Sequence, residues 1–372
     1  MSSSSTLRQR ALVLHAYSAD NVGDGLLVDL ALDLVTSATP NAEITVVATE
    51  AQTFDKVRPI QWRPRWFPDV SDRPRLKRVG FLATIVLGPH RTIRHHAAHA
   101  DLIVAVGGGY LRGGTFSPAL KSLGAHFGQL ALSARHGTRA VYLSQSVGPF
   151  LPGYARLIRR RLGAVRRVFV RDDRSQELLS ELPNVTRAPD LAVLEFARKF
   201  QDVPRSSTLD GGRVTVVARH LDRPRNYVPL LQSLAERPQT SFALQSTIGG
   251  NDDTAFTAKF QNEPAPSLAE VLEQGNPHIV ISTRLHGSMA ALLSGHPTIH
   301  LSYERKGWGA FEDLGLDEYV LNAREATDLD VWALVEQILA DPSGYWAKSA
   351  TRLEHIENYR EQIVSALREA AE

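Results

Sequence analysis

Short continuous apolar runs alternate with longer stretches of mixed polarity along this chain. Residues 11–16, 44–48, 101–106, 140–144 and 168–170 read as strands buried on both faces. Their aliphatic runs are too short for helices and end at turn-forming residues. Residues 26–35, 120–136, 154–165 and 175–182 read as the helices between them. Strand, turn, helix, strand is the opening of a doubly wound α/β unit. The pattern pauses at 200–212, a polar stretch holding Pro204, Ser206, Ser207 and the pair Gly211-Gly212. It then restarts, with strands expected at 213–218, 241–246, 278–282 and 298–302 and helices at 226–236, 268–274, 288–293 and 330–339. The expected division is a first domain over 1–199, a linker over 200–212, a second domain over 213–344, and C-terminal helices over 345–372 that pack back on the first.

The stretch 281–297 organises the second half. A β-branched run ends at Ser282, and Ser288 to Leu293 is rich in Ala, Leu and Met, as a helix requires. Gly295 closes that helix and Pro297 prevents its continuation. Thr283, Arg284 and His286 therefore sit where a buried strand turns into a helix, the edge at which open α/β sheets bind ligands. A helix start favours anions, and Arg284 adds a planar fork of donors, so a phosphate or carboxylate is the ligand chemistry that fits. A buried carboxylate partner for Arg284 is the other reading. The next strand, 298–302, delivers Tyr303, Glu304 and Lys306 to the same edge.

The first half offers similar turns. Residues 17–25 contain Asn21, Gly23 and Asp24 without the full Gly-x-Gly-x-x-Gly spacing, so a dinucleotide site is poorly supported. Asp24 suits a sugar hydroxyl or a base role, and an Asx turn capping the helix suits it nearly as well. Five of the eight positions 107–114 are glycine, a loop in which Gly107, Gly108 and Gly109 allow close backbone approach and Arg112 adds charge. A second loop is expected at 145–149. Arg171 again sits just past a strand, a position for a ligand, and an ion pair with Asp172 or Asp173 is the alternative; Asp190 either holds Arg171 or contacts a ligand. Residues 52–99 are irregular. Arg58, Arg63, Arg65, Arg73, Arg75, Lys77, Arg78, Arg91 and Arg94 are interleaved there with Trp62, Trp66 and Phe67. A solvated insertion is favoured, and contact with an anionic membrane face is permitted.

Composition narrows the classes. With 43% hydrophobic and 22% charged residues over 372 positions, the chain is an ordinary globular one. A net charge of +2 implies no bulk electrostatic partner such as nucleic acid. The absence of cysteine excludes disulfides, thiolate metal sites and cysteine nucleophiles, and fits a reducing compartment. His95, His96 and His99 have no acidic neighbour to complete a metal site, and no metal is expected. The polar start, Met1 to Thr6, lacks a signal-peptide core, and no apolar run spans a bilayer. A soluble or peripheral, cytoplasmic protein is expected. The oligomeric state is open.

Several motifs, in order, resemble the polysaccharide pyruvyltransferases: Asn21-Val22-Gly23-Asp24, Val106-Gly107-Gly108-Gly109, Val170-Arg171-Asp172 with Ser175, Pro189-Asp190, Ser282-x-Arg284-Leu285-His286, Gly295-x-Pro297 and Tyr303-x-x-Lys306. The resemblance implies two Rossmann-like domains facing across a cleft, the GT-B arrangement. It implies phosphoenolpyruvate as co-substrate, a sugar or glycan acceptor (a lipid-linked precursor included), a cyclic pyruvate ketal as product, and no cofactor. Arg171, Arg284, His286 and Lys306 would hold the donor. Asn21, Gly23, Asp24, Gly107, Gly108, Gly109 and Arg112 would face the acceptor. His286 is expected to be the general acid or to assist phosphate departure, and Asp24 or Asp190 to be the base. The competing readings are a nucleotide-sugar glycosyltransferase of the same fold and a non-catalytic glycan-binding member of it.

Overall fold

The computed structural model describes residues 8–19, 22–54, 57–61, 88–247, 252–274 and 276–372. Asn21 and most of the basic, Trp-containing segment (62–87) lie outside the described residues. The chain forms two compact units, Met1–Leu191 with Tyr359–Glu372, and Ala192–Asn358.

The first unit runs β1 (Arg10–Ala16), α1 (Val22–Ala38), β2 (Glu43–Ala48), β3 (Arg58–Gln61), α2 (Arg91–His99), β4 (Leu102–Ala105) and β5 (Gly108–Gly113). There follow α3 (Phe116–Ser122), a π-helical turn (Leu123–Phe127), α4 (Gly128–Arg135), β6 (Ala140–Phe150), α5 (Pro152–Leu162), β7 (Arg167–Val170), α6 (Asp173–Leu178) and β8 (Val185–Arg187). The strands form one sheet in the order β3-β2-β1-β4-β6-β7-β8, with β5 added beside β6. Its pairings are parallel. The aliphatic runs explain the core: Leu12, Leu14, Ile103, Tyr142 and Val168 pack beneath Ile93 of α2 and Ile158 of α5, all buried. Strand order reverses between β1 and β4, and the crevice at their carboxyl ends is the ligand position of such a sheet.

The second unit takes in α7 (Leu191–Lys199) from Ala192 onward, so the boundary falls before the expected 199, and it continues through the polar stretch to β9 (Val214–Val217), α8 (Tyr227–Ala235) and β10 (Thr240–Phe242). Next come α9 (Thr254–Thr257), α10 (Leu268–Glu273), β11 (Ile279–Ser282), α11 (Leu285–Leu293), β12 (Thr298–Ser302), α12 (Arg305–Asp313) and β13 (Val320–Asn322). The helices α13 (Asp328–Ala340), α14 (Pro342–Ala350) and α15 (Leu353–Ala371) end the chain. Its parallel sheet has the order β10-β9-β11-β12-β13, which reverses between β9 and β11. The last turns of α15 join the first unit, where Arg360 and Arg368 reach Ser37 and Glu369 pairs with Arg166.

Three local expectations need correction. The glycine cluster is not a loop: Gly108–Gly113 is β5, and Gly107 is there because a Cβ would lie 2.6 Å from the Ser144 carbonyl. Residues 145–149 likewise continue β6 instead of leaving it. Helix α1 starts at Val22, so Gly23 and Asp24 occupy its first turn and not the preceding loop. The short α2 and α12 went unread because α2 buries only Ile93 and Ala97, and α12 carries two glycines. Gly307 of α12 has a packing reason: a Cβ there would come within 2.1 Å of His300 Nε2.

His300 lies buried in β12, its Nδ1 2.9 Å from Ser288 Oγ, and burial pushes its pKa down to about 3. The unfolded chain binds a proton near pH 6.5, and the folded chain refuses it until about pH 3. This contribution is complete above pH 6.5 and is lost as pH falls toward 3. At pH 5 the loss is about 2 kcal/mol. Urea unfolding of His300→Asn, which keeps an amide at the Nδ1 position, should show a fall in stability between pH 7 and 5 smaller by about that amount. An unchanged pH dependence would contradict the assignment.

Candidate active site

In the second unit two successive strand-to-helix turns are built alike. Arg284 is the N-cap residue of α11, and Ser282 Oγ accepts from its backbone N–H at 3.1 Å while donating to its carbonyl at 2.9 Å. One turn along, Glu304 caps α12, and Ser302 Oγ donates to its carbonyl at 2.7 Å. His286 and Lys306 thus hold equivalent places in the first turns of their helices, both half-buried. Lys306 Nζ lies 3.2 Å from Glu304 Oε2, a pair exposed enough to contribute little stability.

Arg284 has the buried carboxylate partner that the sequence left open. Its Nε and Nη2 donate to the two Asp253 oxygens at 2.6 and 2.7 Å. Burial raises the Asp253 pKa, and the guanidiniums of Arg284 and Arg219 oppose that rise. A two-point pair fixes the plane of the guanidinium. Beside it opens a cavity of about 410 Å³ lined by Arg219, Asp253, Arg284, Tyr303, Glu304 and Arg324 among others. Arg219 and Arg284 follow β9 and β11, so the cavity occupies the switch point of this sheet. Arg219 donates to Tyr303 Oη at 2.6 Å, and Arg324 to the Tyr303 carbonyl at 3.2 Å. Beneath them Tyr227 Oη and Thr283 Oγ1 are 2.7 Å apart, and burial pushes Tyr227 up to about 12. His286 and Lys306 lie outside this lining. Arg219 was legible as a cation directly after a buried strand, the signal already used for Arg171 and Arg284. Arg324 carried no such signal, because β13 has only three residues.

In the first unit Gly23 is buried and Asp24 half-buried at the start of α1, where an acidic residue complements the helix dipole. Gly108 has φ +146°, and the Gly109 carbonyl accepts from Arg112 Nε at 2.6 Å. Arg171 does not pair with Asp172 or Asp173. It forms a buried ion pair with Asp190, the side chains 3% and 2% exposed, and donates to Ser146 Oγ at 3.0 Å. Asp172 instead caps α6 through the Ser175 N–H and hydroxyl, at 2.9 and 2.8 Å. Ser175 Oγ in turn accepts from Val147 N at 2.9 Å. Asp172 and Ser175 are therefore structural residues of their motif, and Asp190 is committed to Arg171. Among the described residues no cluster of three or more His, Cys, Asp or Glu could hold a metal, and no helix is long and apolar enough to cross a membrane.

Two parallel sheets, each reversing its strand order at a switch point, define an α/β protein of two Rossmann-like domains, and solved structures show the GT-B-like fold. The UDP-GlcNAc 2-epimerase from Neisseria meningitidis bound to UDP-GlcNAc is similar over 96% of this chain and 99% of its own, with a TM-score of 0.53 at 12% identity. Medicago truncatula UGT71G1 complexed with UDP-glucose gives 0.52 at 10% identity, over 98% and 99%. The trehalose-6-phosphate synthase OtsA gives 0.53 at 11%, over 96% and 99%. Identities this low speak to the fold alone. Sequence decides the family: the polysaccharide pyruvyl transferase pattern matches residues 21–305, and the chain belongs to that family. Comparison with the curated proteins finds no match.

The Arg171–Asp190 pair yields a stability prediction. Asp190→Ala leaves a buried guanidinium without its partner and should cost about 3–5 kcal/mol in urea unfolding. Replacing both residues, Arg171→Met with Asp190→Leu, should restore most of that loss. A single variant as stable as wild type would mean the pair is not buried as described.

Proposed function

We propose that this chain transfers the pyruvyl group of phosphoenolpyruvate to two hydroxyls of a sugar in a cell-surface glycan or its lipid-linked precursor, releasing phosphate and closing a cyclic ketal. The observation that supports this most is the placing of Arg219, Arg284 and Arg324 around one cavity at the second sheet's switch point, among the carboxylates of Asp222, Asp252, Asp253 and Glu304, with His286 and Lys306 in the helix turns that follow. Phosphoenolpyruvate carries a phosphate and a carboxylate on one small frame. Arginine N–H donors suit both groups, and Asp253, which takes the Nε–Nη2 edge of Arg284, fixes the plane of that guanidinium in advance.

Protonating the methylene carbon makes C2 electrophilic. The first hydroxyl attacks C2, phosphate departs, and the second hydroxyl closes the ring. The two hydroxyl protons end on the new methyl group and on phosphate. In this reading His286 is the acid that protonates the methylene, and Asp24, on the acceptor side, takes a hydroxyl proton. Asp190 is the poorer base because it already holds Arg171. Arg171, its charge offset by Asp190, backs the glycine strand at Gly109 and holds guanidinium donors there in a fixed orientation. No cofactor enters this scheme, and we place the reaction in the cytoplasm, with the acceptor supplied at the membrane face.

His286→Ala should lower kcat for phosphate release from phosphoenolpyruvate about 10²–10⁴-fold in the presence of an acceptor, with phosphoenolpyruvate still bound. Near-normal turnover of this variant would remove His286 from the chemistry. Turnover of a nucleotide sugar, with none of phosphoenolpyruvate, would replace the whole reading by a glycosyltransferase of the same fold.

A further inference from the structure

Ketal formation takes a proton from each of two hydroxyls, and Asp24 accounts for one. The first unit holds a second group, unused so far, at its own switch point. His15 is the next-to-last residue of β1 and has φ +69°, a left-handed backbone that a histidine adopts only at a cost. The residue is 4% exposed, and its ring stacks on Tyr110 of β5, with centroids 4.5 Å apart. Tyr110 stacks in turn on His126 at 4.7 Å. His126 sits in the π-helical turn, a departure from α-helix that recurs at functional sites. Tyr142 is fully buried, whereas Tyr110 and His126 keep partial exposure at the edge of the cluster.

The hydrogen bonds within the cluster have a direction. Ser133 Oγ donates to the Gln129 carbonyl at 3.1 Å, and a carbonyl only accepts, so the serine proton is spent. With Tyr142 as the donor to Ser133 Oγ, 3.4 Å away, its oxygen is left to accept from His15 Nε2 at 2.9 Å, and this is the direction the proposal below adopts. Burial keeps both histidines neutral at pH 7, lowering His15 well below its ordinary value and His126 to about 4. A neutral His15 protonated on Nε2 has a lone pair on Nδ1, and His126 Nδ1 lies 3.2 Å from it and must donate. His126 is therefore protonated on Nδ1, and its Nε2 carries the lone pair. The His15 N–H to Gln129 Oε1 bond, 2.7 Å, holds the chain's centre in place.

We propose that His126 accepts the proton of a sugar hydroxyl bound at the first sheet's switch point, its Nε2 lone pair set by the chain from the Gln129 carbonyl through Ser133, Tyr142 and His15. The proposal rests on the pyruvyl-transfer reading for the identity of the hydroxyl. As the C2–O bond forms, the O–H bond breaks, its electron pair stays on oxygen, and the proton moves to Nε2. An oxygen bonded to a cationic C2 is a strong acid, so a weakly basic, neutral imidazole is sufficient. Tyr142 and His15 act through His126 and are positioning residues.

Nitrogen-15 NMR of the full chain tests the tautomer without any substrate. His126 should show a protonated Nδ1 and a bare Nε2, and Tyr142→Phe should lose that order. A protonated Nε2 on His126 overturns the proposal whatever the chain catalyses. Turnover supplies the second arm, with phosphoenolpyruvate and a panel of methyl hexopyranosides. His126→Asn keeps a donor toward His15 and removes Nε2; kcat should fall about 100-fold or more, with KM for phosphoenolpyruvate unchanged. Wild-type kcat in this variant overturns the base role. No phosphate release by the wild type under any acceptor defeats the pyruvyl-transfer reading, and the base role with it, while the NMR result still decides the tautomer.

Discussion

A parallel sheet sends the end of every strand to one edge, and each helix that follows starts there. This constraint governs both units of the chain. It brings Asp24, Gly107 and His15 to one edge of the first sheet, and Arg219, Arg284 and Lys306 to one edge of the second, from stretches well apart in sequence. The helix starts turn their N–H groups to that edge, so the chemistry it favours is anionic before any side chain is counted.

The side chains sharpen this at a cost in stability. Each unit buries a guanidinium against a carboxylate, Arg171 with Asp190 and Arg284 with Asp253. Removing such charges from water costs several kcal/mol per ion, and the pairing seldom returns more than it takes. A core of this size did not need them. Their effect is geometric: they hold planar donors at strand ends in one orientation. The serine-braced turns at Ser282 and Ser302 do the same for His286 and Lys306 through the backbone.

Much of this was legible in the sequence because buried strands write themselves as aliphatic runs, and the residue after each run is a site candidate by position. Arg171, Arg219 and Arg284 each stand within two residues of the end of such a run, and His286 and Lys306 lie in the first helical turn beyond one. Partners were harder. Asp253 is 31 residues before Arg284 and Asp190 19 residues after Arg171, and no local pattern ties them together. The glycines misled for a physical reason: Gly107 reads as ligand-facing, yet its missing side chain makes room for the Ser144 carbonyl. The His15–Tyr142–Ser133 chain was invisible, since it joins β1, β6 and α4 through a backbone angle and a π-helical turn that leave no sequence signature.

In the proposed reading the second sheet's edge receives phosphoenolpyruvate and not a nucleotide sugar. Calorimetric titration of the full chain with phosphoenolpyruvate, beside a panel of nucleotide sugars, in wild type and in Arg284→Ala, tests it most directly. The account predicts binding of phosphoenolpyruvate to the wild type, loss of that binding in the variant, and no heat from the nucleotide sugars. Nucleotide-sugar binding alone, lost in the same variant, would contradict it and leave only the fold standing.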